Sequence, residues 1–394
     1  MRTIPHGPAP TADAKTANTD QLEQAFNLCL RKARTNITRL ADEPKAAPSA
    51  LDGNYFNNKE GFYEIGNWTS SFFTGMALLA WRETEDEYFL KQVLRLAPYY
   101  REKVFNRFLD THHDLGFLYS LYSVGLHKLT GEPSHREVAL RAADVLANRF
   151  NEQGNFIRAW GRMDADEFQN MAIIDCLMNL PLLYWATGET GKAQYRARAI
   201  RHADMTLKYF VRTDDSVYHA YRFDLKTGQP VGGDTYGGCA VESHWARGAA
   251  WAIYGFALSH GYTHDPKYLD AAMRVGRKFI ASLDREVVPI WDFKLTPEAP
   301  KIRDASAAAI AVCGFQELLK FKPGDQSLRE IIRRLLSRLT SADYLNSDDA
   351  CPGIQKLGQV GDATKMGKNA YTSWGDYFLM EALSRELRSG EPFW

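Results

Sequence analysis

The chain has 394 residues, a formal net charge of zero and 24% charged residues. This balance excludes a global electrostatic field that attracts nucleic acid or acidic membranes, so an anionic ligand must be bound by local Arg, Lys or His. The five cysteines are scattered and never spaced as CxxC. That pattern argues against a disulfide framework or a zinc site and fits a reducing compartment.

The N-terminal residues 1–20 include Pro5, Pro8 and Pro10 and lack the apolar core of a signal peptide. We therefore predict a disordered leader over 1–20, a single catalytic domain over 21–394 and a cytoplasmic location. No uninterrupted apolar run of about 18 residues is present, so we predict no membrane-spanning helix. The oligomeric state stays open.

A pattern of apolar segment, short polar turn and amphipathic segment repeats along the chain. The turns contain residues that end one helix and begin the next, and lie at 84–87, 130–133, 187–190, 263–266 and 322–325. The apolar segments have the composition of buried helices and lie at 70–81, 114–129, 171–186, 247–260, 304–320 and 374–387. An amphipathic helix near 20–40 supplies the sixth outer partner. We predict an all-α fold, a double-layered (α/α)6 barrel of six helical hairpins.

The connections that lead from an outer helix back to an inner one are long, and lie roughly at 149–170, 212–243, 284–303 and 340–372. Long loops at one end of a rigid scaffold usually carry function, so we expect the site at this end, which we call the mouth. Residues 216–221 alternate in polarity and 226–228 resemble a turn. This predicts a small β-structure within the connection 212–243.

Asp175 and Asn179 are the polar interruptions of the apolar segment 171–186. Four residues apart, they share one face of a helix. Burial of an unpaired carboxylate raises its pKa, and a carboxyl group with a raised pKa is a proton donor at neutral pH. The alternative is a structural carboxylate, paired with an Arg or bonded to a loop amide.

Side chains with catalytic or sugar-binding chemistry concentrate where the inner helices begin. They are Trp68, His112, His113, Asp114, Trp160, Asp175, His219, Tyr236, His244, Trp245, Arg247, Trp251, Arg303, Asp304, Trp374 and Asp376. Several have a structural alternative. Asp114 and Asp304 are natural helix N-caps, an interpretation that we favour for Asp304, and Arg247 has the alternative of a bridge to a structural carboxylate. We assign His113 rather than His112 to the site.

The residue types at the mouth favour acid–base chemistry on a carbohydrate. Aromatic rings stack on sugar rings, and Arg or His beside them bonds hydroxyls or a carboxylate. A metal site is disfavoured because His112, His113 and Asp114 are adjacent rather than at helical i, i+4 spacing. No G-x-S-x-G, P-loop or Rossmann pattern occurs. The remaining pair, Asp114 and Asp175, consists of carboxylates that push each other's pKa values apart.

Six motifs, in order from about Asn67 to the C-terminus, resemble those of the unsaturated glucuronyl hydrolases of glycoside hydrolase family 88. They are HHDLGFLYS at 112–120, IIDCLMNLPLL at 173–183, SVYH at 216–219, WARGAAW at 245–251, RDASA at 303–307 and WGDY at 374–377. The family has a six-hairpin α/α barrel. Its members remove the 4,5-unsaturated uronic acid that polysaccharide lyases leave at the non-reducing end of oligosaccharides.

The resemblance implies roles for individual residues. Asp175 is the general acid/base, Asp114 its essential partner, and the substrate-binding positions are Trp68, His113, Trp160, His219, Arg247 and Trp251. An unsaturated uronyl oligosaccharide is the implied partner, with no metal or organic cofactor, no nucleic acid and no membrane.

The chain differs from the family at two places. Members often carry an amide or imidazole side chain where this sequence has Tyr236-Gly237-Gly238, and the loop 358–369 lacks a serine-rich pattern that some members use to hold sulfate. The parent polysaccharide and its sulfation therefore stay open. The alternatives are the sister family that acts on unsaturated galacturonyl-rhamnose, an α/α-barrel epimerase with a His base, and an inactive sugar-binding module.

Overall fold

The computed structural model of the chain describes residues 12–57, 61–365 and 367–394. The first seven α-helices are α1 (Ala12–Asp42), α2 (Ser70–Thr84), α3 (Glu87–Leu94), α4 (Ala97–Phe105), α5 (Leu115–Tyr119), α6 (Gly125–Thr130) and α7 (Pro133–Ala147). They are followed by α8 (Leu180–Thr190), α9 (Ala193–Tyr209), α10 (Ala246–Thr263), α11 (Pro266–Ser282), α12 (Ala305–Phe321), α13 (Gln326–Leu339) and α14 (Ser373–Arg388).

The inner helices form a closed ring. Helix α2 contacts the α5–α6 segment, which contacts α8, and the contacts continue through α10, α12 and α14 back to α2. The outer helices lie on this ring: α3 on α2, α7 on α5, α9 on α8, α11 on α10, α13 on α12, and α1 across α2 and α14. Inner helices are buried almost all round, whereas α13 buries one stripe of Leu and Ile. The predicted double-layered six-hairpin barrel is confirmed.

The inside of the ring is filled with aromatic side chains below the mouth. Phe378 stacks on Trp394 with ring centroids 5.9 Å apart, and Trp251 lies between Phe378 and Phe117 at 5.4 and 5.2 Å. Aromatic rings of this size bury large apolar areas and prefer such offset or tilted contacts. This layer gives the mouth a rigid apolar floor.

Two inner segments are less regular than predicted. The second is interrupted by a π turn over Ser120–Val124, between α5 and α6. The third, predicted as one helix over 171–186, begins as a strand and a 3₁₀ turn over Ile174–Asn179, so that α8 starts only at Leu180. Pro181 favours a helix start at this point because its ring fits the first turn and clashes further along. Asp175 therefore lies on the 3₁₀ turn, not one turn into an α-helix.

Short strands surround the mouth. They are β1 (Ser49–Ala50), β2 (Phe150–Asn151), β3 (Phe156–Ile157), β4 (Met171–Ile173), β5 (Ala220–Phe223), β6 (Pro230–Asp234) and β7 (Tyr371–Thr372). Strand β5 pairs antiparallel with both β4 and β6, and Ile173 lies opposite Ala220. The β-structure predicted within 212–243 is confirmed, although its strand begins at Ala220. Its pairing places His219 beside Ile174, whose N–H donates to the His219 carbonyl at 2.9 Å.

Helix α1 begins at Ala12, and residues 1–11 lie outside the described residues. The division into a leader over 1–20 and a single domain over 21–394 stays a prediction. From Leu22 onward α1 contributes apolar side chains to the same core as the barrel. In the described ranges, no helix is both long and apolar enough to cross a bilayer.

Candidate functional site

The carboxylate of Asp114 lies between two imidazoles. His112 Nδ1 is 3.0 Å from Asp114 Oδ2, and His113 Nε2 is 3.1 Å from Asp114 Oδ1. Burial opposes ionisation of Asp114, but the nearby His113 and the hydrogen bond from His112 outweigh it and hold its pKa well below the ordinary value. Asp114 is the N-terminal residue before α5, yet its side chain caps no helix N–H. Its carboxylate is therefore an anion held by side chains.

Asp175 has the opposite electrostatic environment. Burial, followed by the negative charge of Asp114, raises its pKa to about 7, while the positive charge of Arg247 opposes this rise. Its side chain is 17% exposed, and its Oδ1 makes no hydrogen bond within the described residues. A carboxyl group with this pKa and an unengaged oxygen can give a proton to a bound ligand near neutral pH.

Asn179 connects the two carboxylate segments. Its Nδ2 lies 3.4 Å from Asp114 Oδ1 and 3.4 Å from the Asp175 carbonyl, while its Oδ1 accepts the Phe117 N–H at 2.9 Å. Gly116 permits this approach, because a Cβ there would lie 2.3 Å from Asn179 Cα. The sequence drew attention to Asn179 as the partner of Asp175 on one face. The structure gives its amide contacts to both segments.

One side of the mouth is an aromatic wall with a guanidinium. Trp68 stacks on Trp374 at 5.2 Å and 25°, and Arg247 lies over the Trp374 ring at 5.0 Å and over the Trp245 ring at 4.5 Å. Arg247 is buried and pairs with Asp304 at 3.0 Å. Contacts of this kind fix a cation against aromatic faces. Arg247 therefore forms the bridge to a carboxylate that the sequence left as its structural alternative, and it also belongs to the wall.

The other side of the mouth is a chain of rings that leads back to Asp114. The ring centroid of His219 lies 4.4 Å from that of Trp245, and the ring centroid of Trp160 lies 6.2 Å from those of both His219 and His113. His113 Nε2 faces the Asp114 carboxylate, whereas its Nδ1 has no hydrogen-bond partner among the described residues. Buried polar atoms without partners are costly, so a site that contains them is suited to a polar ligand.

The predicted site residues are brought together with one qualification. Trp251 is fully buried against Phe117 and Phe378, so it forms part of the floor, with its Nε1 unpaired in the described part of the chain. Trp245 and Trp374 belong to the wall, although sequence reasoning gave them only a position at helix starts. Both are aromatic residues at the start of a buried helix, and this is the sequence signal that they share.

Two acidic residues placed at the mouth by sequence have structural roles. Asp304 caps α12 by accepting the N–H groups of Ser306 and Ala307 at 3.1 and 3.3 Å, which confirms the favoured interpretation. Asp376 accepts hydrogen bonds from Tyr55 Oη and from the main chain at 354–355. It anchors the connection before α14 and is not part of the carboxylate pair.

Three potential metal ligands lie close together in the described ranges. His112, His113 and Asp114 each offer an atom within 4.8 Å of the others. Both imidazoles are directed at the Asp114 carboxylate, which accounts for their proximity.

A buried arginine clamps the Trp160 loop to the segment before His112. Arg149 is 3% exposed and forms no ion pair with a carboxylate among the described residues. Its guanidinium donates to main-chain carbonyls, those of Thr111, Arg158, Ala159, Trp160 and Gly161. Sequence reasoning missed Arg149, because acceptors on the main chain leave no sequence signal.

Replacing Arg149 with Met is expected to lower the free energy of unfolding by about 3 kcal/mol or more, since each buried carbonyl left without a donor costs about 1–3 kcal/mol. Denaturant unfolding measures the loss. The matched control is Arg101→Met, whose side chain is 50% exposed and pairs with Glu137, and about 1 kcal/mol or less is expected there. Equal losses in the two variants would contradict the clamp.

Comparisons with known proteins identify the family of the chain. Residues 52–262 match the sequence profile of Glycosyl Hydrolase Family 88. Unsaturated glucuronyl hydrolase of Bacillus sp. (strain GL1) is 35% identical over 94% of this chain and 98% of that protein. Unsaturated chondroitin disaccharide hydrolase of Streptococcus pyogenes serotype M1 is 35% identical over 95% of this chain and 93% of that protein.

A solved structure of unsaturated glucuronyl hydrolase from Bacillus sp. GL1 superposes with a TM-score of 0.85 at 34% identity, covering 93% of this chain and 97% of that one. Similarity over almost the whole length of both chains extends beyond a shared fold to the segments that carry the carboxylates. The motif resemblance is thereby confirmed, and this glycoside hydrolase belongs to Glycosyl Hydrolase Family 88.

Proposed function

We propose that this enzyme removes the 4,5-unsaturated glucuronic acid from the non-reducing end of lyase-generated oligosaccharides. The observation that carries the proposal is the carboxylate pair: Asp175 with a pKa raised to about 7, beside Asp114 with a lowered pKa, in an aromatic-walled mouth. The names of the relatives, an unsaturated glucuronyl hydrolase and an unsaturated chondroitin disaccharide hydrolase, support the same substrate class.

The reaction needs one well-placed acid. In the substrate the C4=C5 bond adjoins the ring oxygen and forms a vinyl ether. Protonation of C4 by Asp175 leaves an oxocarbenium-like cation at C5 and the carboxylate of Asp175, which then accepts a proton from the water that adds to C5. The resulting hemiketal opens to a C5 ketone, and the hemiacetal at C1 releases the remaining saccharide. Asp175 is regenerated as an acid.

Asp114 need not act as a nucleophile in this scheme. Ordinary glycosidases use two carboxyl groups at C1, one to protonate the leaving oxygen and one to attack or activate water. Here Asp114 keeps its negative charge near Asp175 and thereby favours the protonated form of Asp175. We assign Asp114 to this tuning and to the binding of ring hydroxyls.

The remaining predicted residues would bind the sugar. Trp68 and Trp160 are partly exposed and offer ring surface, while His113 offers its Nδ1, which has no hydrogen-bond partner among the described residues. Arg247 contributes positive charge beside the wall, which suits the carboxylate of a uronic acid. These groups suit an anionic sugar ring.

The enzyme is expected to abolish the ultraviolet absorbance of unsaturated glucuronyl disaccharides, because hydration removes the double bond conjugated with the carboxylate. The measurement is absorbance against time for a panel of lyase-generated disaccharides. Saturated disaccharides of the same composition serve as the control and should release no monosaccharide. Unchanged absorbance with every unsaturated disaccharide, or equal turnover of the saturated series, would contradict the proposal.

The same panel tests the effect of sulfation. In the loop 358–369, Lys365 already pairs with the buried Asp362 at 2.9 Å, although its side chain is 77% exposed. Because this pair is solvent-exposed on one side, it contributes little energy and is open to competition by a sulfate. Disaccharides with and without sulfate are therefore compared at matched linkage.

A further inference from the structure

The His219 ring is held by main-chain amides of the connection before α10. Its Nδ1 accepts the N–H of Tyr236 at 3.0 Å and the N–H of Gly237 at 2.8 Å. A ring nitrogen that accepts a hydrogen bond presents a lone pair, so the hydrogen of the neutral imidazole is on Nε2. The two amides therefore fix one tautomer.

The protonated side of the ring faces the carboxyl group that the proposed reaction uses. His219 Nε2 lies 3.9 Å from Asp175 Oδ1, the oxygen without a hydrogen-bond partner among the described residues. The contact is too long for a hydrogen bond in this state. A movement of about 1 Å by either side chain brings the two atoms within hydrogen-bond distance, and their attraction grows when Asp175 becomes an anion.

The close approach of the Tyr236 and Gly237 amides to the His219 ring requires glycine at position 237. A Cβ on Gly237 would lie 2.8 Å from the ring of Trp245, which is 4% exposed and cannot move away. The same connection is anchored further along, where the Cys239 N–H donates to Asp292 Oδ2 at 2.9 Å. The position of the amides is thus determined from both sides.

We propose that Gly237 is a positioning residue, whose amide together with that of Tyr236 holds His219 as a fixed Nε2–H donor directed at Asp175. His219 then stabilises the Asp175 carboxylate after proton transfer to C4 and does not act as a base, since its outward nitrogen has no free lone pair. This inference rests on the proposed function for its catalytic meaning.

The surroundings of His219 keep it neutral. Burial, followed by the positive charge of Arg247 and by His113, lowers its pKa to about 3. The groups that face the ring are Asp175, Trp160, Tyr236 and Trp245, of which Asp175 alone favours a charged imidazole. Protonation on Nδ1 would also break the hydrogen bonds that it accepts from the Tyr236 and Gly237 N–H groups. The donor state therefore persists through the pH range in which Asp175 titrates.

The tautomer is tested by nitrogen NMR on protein labelled with ¹⁵N-histidine, without substrate. The chain has ten histidines, and His219→Gln assigns the signal by difference. We expect His219 Nδ1 to resonate as an unprotonated, hydrogen-bonded nitrogen and Nε2 as a protonated one, unchanged across neutral pH. The reverse tautomer, or titration of the ring near pH 7, would overturn the proposal.

Gly237→Ala should displace the Tyr236 and Gly237 amides, so that His219 shows mixed tautomers. We expect kcat to fall about 100-fold, the loss that a misplacement of a catalytic group by about 1 Å can cause. The control is Gly188→Ala in α8, where a Cβ meets no atom within 4 Å, and it should leave both readouts unchanged. Normal His219 signals and a normal kcat in Gly237→Ala would contradict the positioning role.

Substitution of His219 separates a donor from a base. His219→Gln keeps an N–H donor and should retain activity within about tenfold of the wild type, whereas His219→Phe, which has no donor, should lose about 100-fold or more. Equal losses would contradict the donor role. Absence of turnover in the wild type would refute the proposed function, while the NMR signature would still decide the state of His219.

Discussion

Asp175→Asn is expected to reduce kcat on unsaturated glucuronyl disaccharides by about a thousandfold or more while the barrel stays folded. Positioned acid–base groups contribute about 10²–10⁴-fold to a rate, and in the proposed reaction this carboxyl group serves both the protonation of C4 and the addition of water. An amide matches the shape of the protonated carboxyl but cannot give up a proton to carbon. The measurement is the initial rate of absorbance loss at saturating substrate.

The same variant should be at least as stable as the wild type above pH 7. The pKa of Asp175 rises on folding from its ordinary value of 3.8 to about 7, so its contribution to stability is present at low pH and is lost as pH rises through that window. Asn cannot ionise and avoids this loss. Reduced activity together with a lower unfolding temperature at alkaline pH would contradict the assignment of Asp175 as a buried acid.

A matched control exists in Asp376, a second buried carboxyl group whose pKa burial raises to about 7. It bonds Tyr55 and the main chain at 354–355 and does not join the carboxylate pair. Asp376→Asn should leave the pH dependence of kcat in place. A kinetic defect as large as that of Asp175→Asn would show that any buried carboxylate near the mouth matters equally.

The sequence determines the fold where the pattern is local. Segments apolar on most sides predicted the inner helices, and α10 and α12 begin and end within a few residues of the expected positions. The start of the third inner segment was wrong, because Ile173 pairs with Ala220, a partner 47 residues away that a local pattern does not contain. Non-local pairing overrides helix propensity at this point.

In the candidate site too, local features can be predicted from the sequence and non-local contacts cannot. Asp175 attracted attention because a carboxylate in an apolar segment is expensive, and its buried environment with a raised pKa agrees with that reasoning. The roles of Arg149 and of the Tyr236 and Gly237 amides could not be predicted, since each contact involves main-chain atoms that every residue has. The carboxyl groups that we propose to react are thus visible in the sequence, whereas the groups that orient them need coordinates.

Asp114→Asn is expected to lower kcat about 100-fold or more and to move the alkaline limb of the pH–rate curve to lower pH. The active form of Asp175 is protonated, so the rate falls as pH rises through its pKa of about 7. The charge of Asp114 is one cause of that raised pKa, and its removal shifts the pKa of Asp175 back toward 3.8. The measurement is kcat against pH for the variant and the wild type.

The two Asn variants should change stability in opposite directions, which distinguishes tuning from a shared structural role. The pKa of Asp114 is lowered on folding, so its carboxylate stabilises the protein above its ordinary value of 3.8 and loses this contribution as pH falls through the folded pKa. Asp114→Asn removes that stabilisation and leaves His112 and His113 without their anion, whereas Asp175→Asn removes a buried charge. At alkaline pH the first variant should therefore unfold at a lower temperature than the wild type and the second should not. If both variants lost stability equally and both kept the alkaline limb in place, the carboxylates would be a structural pair and the acid would have to be sought elsewhere in the mouth.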